Sequence, residues 1–95
     1  MLGFAQFVRR SDESAELTRI YVLPAQHNRG LGSRLLEAGL HRLKTMGGRL
    51  LTVAVERENA VGRRFYQRQG FAEVGERRVE LHGHSLALVE FHRPI

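Results

Sequence analysis

The sequence contains no cysteine, which excludes disulfide bonds, thiolate nucleophiles and zinc sites built from cysteine. It also has no long hydrophobic run, because no stretch approaches the roughly 20 apolar residues that a membrane span needs. The first ten residues are too polar, and their apolar part is too short, for a secretory signal. We therefore expect an intracellular, cytoplasmic protein with no membrane partner.

Lysine is almost absent as well. Lys44 is the only lysine, so arginine supplies nearly all of the positive charge behind the formal net charge of +5 at pH 7. The arginines are scattered from Arg9 to Arg93, a distribution that permits a polyanionic ligand but is more typical of solvated surfaces. A nucleic-acid partner is not favoured, because the sequence shows neither a one-sided basic stripe with interleaved aromatics nor a recognition-helix motif.

The hydrophobic pattern predicts the first four secondary-structure elements of one small domain, residues 1–95, in which 42% of the residues are hydrophobic. Alternating apolar residues predict strands over 3–8 and 15–22, and leucines at helical spacing then predict a long helix over 30–46. A β-branched apolar run predicts a strand over 49–56 that is buried on both faces. No repeat, linker or low-complexity tract interrupts this pattern.

The rest of the chain predicts a short helix and a hairpin. Asn59 is the candidate N-cap of the helix, and Gly70 would end it. Strands over 71–81 and 85–91 flank the turn HGH, with Gly75 as a candidate bulge. The order is ββαβαββ, an α/β (α+β) fold with helices on the faces of a sheet, in which a right-handed crossover reaches the third strand.

Two glycines lie where the long helix begins. Gly30 and Gly32 remove side chains that would keep a phosphate from the backbone, and they permit φ values that aim N–H groups at an anion. The alternative interpretation is a glycine-rich turn that allows close helix–strand packing. The lysine of a triphosphate-binding loop and a full GxGxxG are both missing, which disfavours ATP and dinucleotide binding.

The stretch YVLPAQHNRGLGSRLL resembles the acyl-coenzyme A loop of the GNAT N-acetyltransferases, whose signature is Gln or Arg, two residues, Gly, one residue, then Gly or Ala. That frame begins at His27, which departs from Gln or Arg but can still donate through a ring N–H. The later stretch NAVGRRFYQRQGF is similar to a second motif of the family. Asn59, Tyr66, Gly70 and Phe71 match it, whereas Gly62 replaces the usual alanine.

The resemblance implies acetyl-coenzyme A (acetyl-CoA) as cosubstrate, no metal, a GNAT-like mixed sheet with helices on both faces, and direct attack by an amine in a ternary complex. It places the thioester arm along the second strand, with the Val22 N–H facing the acetyl oxygen, and the diphosphate at the start of the long helix. The coenzyme-binding residues it implies are Ile20, Tyr21, Val22, His27, Asn28, Arg29, Gly30, Leu31, Gly32, Ser33, Arg34 and Asn59.

Tyr66 is the general acid that the resemblance implies for the departing thiolate, with Phe65 entering the core. The alternative for Tyr66 is an interfacial aromatic with its hydroxyl in water, and for Asn59 a helix cap only. Glu16 resembles the glutamate base of histone-type members of the family, with a pKa raised by burial. Glu56 and Glu58 are alternatives, and an exposed strand-end role for Glu16 is open.

The histidines around the last turn are candidate metal ligands. His82 and His84 have His-x-His spacing and His92 could approach them, but no carboxylates accompany them and the turn itself explains HGH. We therefore expect no metal.

Members of the family usually carry a strand and one or two helices before the first strand seen here. This chain is N-terminally short by comparison, so we expect either that its start was trimmed or that another chain completes the partial sheet. Because an uncovered edge strand and apolar face invite pairing, we expect a homodimer. The alternative functions are an inactive acetyl-CoA-binding module and a basic nucleic-acid-binding domain.

Overall fold

A computed structural model describes residues 3–22 and 30–95. Its five strands and two helices follow the predicted ββαβαββ order, and the sheet has the strand order β1-β2-β3-β5-β4. The mixed α+β fold is therefore confirmed, with β1 and β4 as the edge strands. In chain order the elements are β1 (Gly3–Arg9), β2 (Ser14–Val22), α1 (Leu31–Thr45), β3 (Leu50–Glu56), α2 (Ala60–Arg68), β4 (Ala72–Leu81) and β5 (His84–Pro94).

The chain divides into two compact units. Unit 1 consists of Met1–Leu51 with Pro94–Ile95, and unit 2 consists of Thr52–Arg93. The single domain over residues 1–95 stays a prediction. Neither α1 nor α2, the helices of the described ranges, is long and apolar enough to cross a membrane.

Unit 1 is built on the antiparallel pair of β1 and β2. The register runs from Gly3 opposite Val22 to Arg9 opposite Ala15, and it shifts between Gln6 and Phe7. The shift leaves Thr18 as the extra residue of β2, and its hydroxyl donates to the Gln6 carbonyl at 3.1 Å.

The helix α1 covers this pair with the leucine face that its sequence spacing predicts. Leu36 and Leu40 are buried one turn apart, and burying each leucine side chain contributes on the order of 2 kcal/mol. A Cβ built on Gly39 would lie 2.2 Å from Cζ of Phe7. The Phe7 ring therefore packs directly on the helix backbone, and the absence of a side chain at Gly39 makes this contact possible.

Unit 2 buries Val53 and Val55 of β3, whose burial alternates along the strand. The prediction that β3 is buried on both faces is therefore only partly met, because Thr52 and Ala54 are half-buried. The helix α2 ends as predicted: Gly70 has φ +89°, and the next residue, Phe71, donates its N–H to the Tyr66 carbonyl at 3.0 Å and is buried.

The final hairpin confirms the predicted turn and bulge. His82 and Gly83 both have positive φ, 50° and 78°, as a two-residue hairpin turn requires. The register of β4 against β5 shifts between Glu73 and Gly75. Edge strand β4 is exposed along most of its length and carries charges of both signs, which is typical of an edge protected against uncontrolled pairing.

Candidate active site

The start of α1 has the backbone geometry that the two glycines predict. Gly30 is the N-cap with φ 71° and ψ 14°, in the left-handed region, and its carbonyl accepts the Arg34 N–H at 3.1 Å. The N–H groups of Leu31 and Gly32 come before this first intrahelical bond and carry the positive end of the helix dipole. An anion is therefore favoured at this end of the helix.

The glycine at position 30 is required by conformation. Among the described residues, nothing lies within 4 Å of a Cβ built there, but φ 71° disfavours any residue with a side chain. Ser33 is half-buried and Arg34 is exposed in the same turn. The predicted contacts at His27, Asn28 and Arg29 lie outside the described residues.

The strand predicted to hold the thioester arm presents an exposed aromatic pair. Tyr21 lies opposite Phe4 in the register, and their ring centroids are 6.0 Å apart. Ile20 is half-buried opposite Ala5, and Val22 is the last residue of β2.

Glu16 is held by an ion pair. Its Oε1 atom accepts a hydrogen bond from Nε of Arg10 at 2.9 Å and lies 2.7 Å from Nη2, and the Glu16 side chain is 28% exposed. Arg10 therefore occupies one carboxylate oxygen, and the role of Glu16 as a base stays a prediction. The alternative bases, Glu56 and Glu58, are exposed at the end of β3 and just beyond it.

A cavity in unit 1 has a volume of about 360 Å³. It is lined by Leu43 and other residues in the second half of α1, by Met46 just after the helix, and by residues near the β1–β2 turn such as Arg9 and Asp12. No residue predicted for the coenzyme site lines it.

In unit 2, Asn59 is the N-cap of α2 as predicted. Its Oδ1 accepts the Gly62 N–H at 2.9 Å. A Cβ on Gly62 would lie 2.6 Å from Nδ2 and 2.9 Å from Cγ of Asn59, so this carboxamide conformation depends on glycine at position 62. Because the cap uses Oδ1, the Nδ2 group is the side-chain donor that Asn59 can offer a ligand.

Tyr66 is buried, with 7% of its surface exposed, and its ring contacts those of Phe65, Phe71 and Phe91 at centroid distances of 5.1, 5.4 and 6.3 Å. Burial raises the pKa of Tyr66 above its usual 10.0, because it disfavours the phenolate. The phenol is therefore protonated at neutral pH. The expectation that Phe65 enters the core is wrong, since Tyr66 is the buried residue of α2 and Phe65 is half-buried.

Residues 1–71 match the sequence model of the Acetyltransferase (GNAT) family. The chain belongs to this family.

An uncharacterised N-acetyltransferase of Mycobacterium tuberculosis is 30% identical over 84 residues, which are 88% of this chain and 54% of the relative. The crystal structure of the ribosomal-protein-S18-alanine N-acetyltransferase from Escherichia coli is similar with a TM-score of 0.83 at 30% identity, over 100% of this chain and 62% of that one. A Salmonella typhimurium structure described as an acetyltransferase with its cofactor acetyl-CoA has a TM-score of 0.81 at 25% identity, over 98% of this chain and 57% of that one. The chain spans about half the length of the curated relatives it matches.

Within this GNAT chain, Arg63 of α2 is a candidate site residue that the sequence analysis did not single out. Arg63 lies four residues after Asn59 and three before Tyr66, a spacing that places all three on one side of a helix. That spacing was the available signal. Within residues 3–22 and 30–95, no group of three or more His, Asp or Glu side chains could hold a metal ion.

The two roles assigned to Asn59 can be separated by substitution with aspartate. Asn59→Asp keeps a side-chain oxygen for the cap but replaces the Nδ2 donor by an anionic oxygen. We expect a free energy of unfolding within about 0.5 kcal/mol of the original, because Asn and Asp are equally good caps, and a rise of about tenfold in the Kd for acetyl-CoA. Urea denaturation and calorimetric titration measure the two quantities.

Gly62→Ala is the companion variant. The new methyl group displaces the Asn59 carboxamide, so the cap is lost at a cost of about 1 kcal/mol. The higher helix propensity of alanine stabilises α2 by a similar amount. An Asn59→Asp variant that binds acetyl-CoA as well as the original chain would leave Asn59 a helix cap only.

Proposed function

We propose that this chain is an acetyl-CoA-dependent N-acetyltransferase that moves the acetyl group to a primary amine by direct attack in a ternary complex. The observation that carries this proposal is the start of α1, where a left-handed glycine precedes a helix whose first N–H groups favour an anion. Membership of the GNAT family supports it. So does the acetyl-CoA described for the Salmonella relative.

The coenzyme is held mainly by backbone groups in this proposal. The amides from Asn28 to Ser33 meet the diphosphate, with Arg29 and Arg34 adding positive charge. The backbone from Ile20 to Val22 holds the thioester arm, and Asn59 donates through Nδ2. Side chains then contribute mainly orientation, which is the large term for a reaction between two bound substrates.

Acetyl transfer forms a C–N bond and breaks a C–S bond. The neutral amine attacks the thioester carbon, the Val22 N–H stabilises the oxyanion, and the sulfur leaves as a thiolate that takes a proton from Tyr66. The raised pKa of Tyr66 keeps that proton in place at neutral pH. Glu16 takes the amine proton through the carboxylate oxygen that Arg10 does not hold.

The acceptor class is a primary amine. The name of the Escherichia coli relative gives an alanine acceptor, which is an α-amine when it is N-terminal. A catalytically inactive acetyl-CoA-binding module is the second candidate, and the ion pair between Arg10 and Glu16 favours it, because it engages one carboxylate oxygen of the proposed base.

Two measurements, made one after the other, test the proposal. Acetyl-CoA at 100 times its Kd should raise the free energy of unfolding by about 2.7 kcal/mol, and absence of any stabilisation would contradict both coenzyme-binding candidates. Release of free thiol with a panel of primary amines then separates the enzyme from the inactive module.

Tyr66→Phe tests the acid. We expect kcat to fall about tenfold with little change in the Kd for acetyl-CoA, because a thiolate is a fair leaving group and the aromatic packing is retained. Thiol release and calorimetry on the same preparation measure both values. An unchanged kcat would retire the assignment.

The homodimer also belongs to this proposal. Edge strand β1 has one unpaired side in the sheet order, which supports pairing with a second copy. Light scattering at micromolar concentration tests it, and a stable monomer there would contradict it.

A further inference from the structure

One buried donor in unit 2 has no hydrogen-bond partner. Within the parts of the chain that the structure describes, Nε of Arg63 is the one buried side-chain nitrogen or oxygen atom without a partner. A buried N–H that has given up water without gaining an acceptor is unfavourable, so native proteins rarely keep one without a function. Arg63 as a residue is half-buried, so a ligand reaches Nε only if this side chain rotates, and the missing acceptor is a reason to look for that ligand.

The position of Arg63 on α2 indicates which ligand supplies the acceptor for its Nε–H. It lies one helical turn after Asn59 and one turn before Tyr66, on the side of α2 that carries both residues. These are the two residues of α2 that the proposed function assigns to acetyl-CoA. Arg64, the next residue, is exposed, so the buried donor is specific to position 63.

We propose that Arg63 binds the coenzyme by donating its Nε–H to an amide carbonyl oxygen of the pantetheine arm, an inference that rests on the proposed function. Tyr66 is assigned to the sulfur, and on the pantetheine side of that sulfur the amide groups of the arm are the nearest acceptors. The diphosphate is assigned to the start of α1. A fixed, neutral carbonyl suits a single buried N–H better than a phosphate, which would engage the whole guanidinium fork.

Arg63→Met tests this inference, because methionine keeps an apolar stem of similar length and removes every donor. We expect the Kd for acetyl-CoA to rise about tenfold, while the thermal midpoint without ligand stays the same or rises because an unsatisfied buried donor is gone. Arg63→Lys retains the charge without Nε and should lose affinity to the same extent. Arg64→Met is the matched control and should change neither quantity.

Fragments of the coenzyme identify the acceptor. S-acetylpantetheine, which has no phosphate, should bind about tenfold more weakly to Arg63→Met than to the original chain, whereas adenosine diphosphate should bind both equally. The reverse pattern, or full affinity of Arg63→Lys, would overturn the inference in favour of a charge contact. A lower thermal midpoint of Arg63→Met with unchanged affinity would also overturn it, because the side chain would then have only a packing role.

The failure of this inference can be told apart from failure of the proposed function. An original chain that does not bind acetyl-CoA contradicts both. An original chain that binds acetyl-CoA, with Arg63→Met and Arg63→Lys binding it equally well, overturns the role of Arg63 alone. If Arg63→Met does not fold, the comparison of Arg63→Lys with the original chain decides.

Discussion

Replacing Phe91 with alanine is expected to lower the free energy of unfolding by about 3–5 kcal/mol. Phe91 is 0% exposed and its ring lies 6.3 Å from that of Tyr66, so truncation leaves a cavity that the surrounding side chains fill only in part. A domain of this size has a total stability of about 5–15 kcal/mol. Urea denaturation followed by circular dichroism measures the loss.

Val61→Ala is the control for this prediction. Val61 is 71% exposed on α2, so its truncation should change stability by no more than about 0.5 kcal/mol. Equal losses from the two variants would show that Phe91 is not part of a packed core. Because Phe91 packs against Tyr66, the Phe91→Ala variant should also lose the orientation of the proposed acid.

Substitutions of Gly30 are expected to have the second large effect. Two of them separate the need for a left-handed backbone at position 30 from the need for space that no side chain fills. Gly30→Asn should fold with a stability within about 1 kcal/mol of the original, because asparagine tolerates the left-handed region at φ 71°. Gly30→Val should be less stable by about 2 kcal/mol, because a β-branched side chain is strained there. Denaturation curves of both variants measure the difference.

Binding by the same variants tests the anion site. The new side chain of Gly30→Asn enters the space beside position 30, where no described residue lies within 4 Å of a Cβ and where the proposal places the diphosphate. We therefore expect at least a tenfold rise in the Kd for acetyl-CoA although the fold is kept. Full affinity of Gly30→Asn would show that Gly30 serves only to start the helix.

The fold followed from local sequence signals because each signal acts over a few residues. Leucines at 31, 35, 36, 40 and 43 predicted α1, and the structure buries Leu36 and Leu40 among them. Asn59, Gly70 and the HGH turn fixed the ends of α2 and the hairpin through a cap and through positive φ.

The candidate site was only partly predictable. Spacing and resemblance selected Gly30, Asn59 and Tyr66, because backbone conformation and helix capping depend on residue type at fixed positions. They did not indicate that Arg10 holds Glu16, since the register of β1 and β2 and the turn between them bring those side chains together. The expectation that Phe65 enters the core was wrong for a similar reason, because which ring of α2 is buried also depends on neighbours that are distant along the chain.

The sequence by itself determined the element order, the helix ends, the turns and the family, because period, caps and glycine conformations are local properties. The tertiary structure decided which aromatic ring of α2 is buried, which carboxylate is already paired and which donor is left without an acceptor. Those three properties depend on neighbours that are distant along the chain, and burial removes the water that would otherwise make the alternatives nearly equal in free energy.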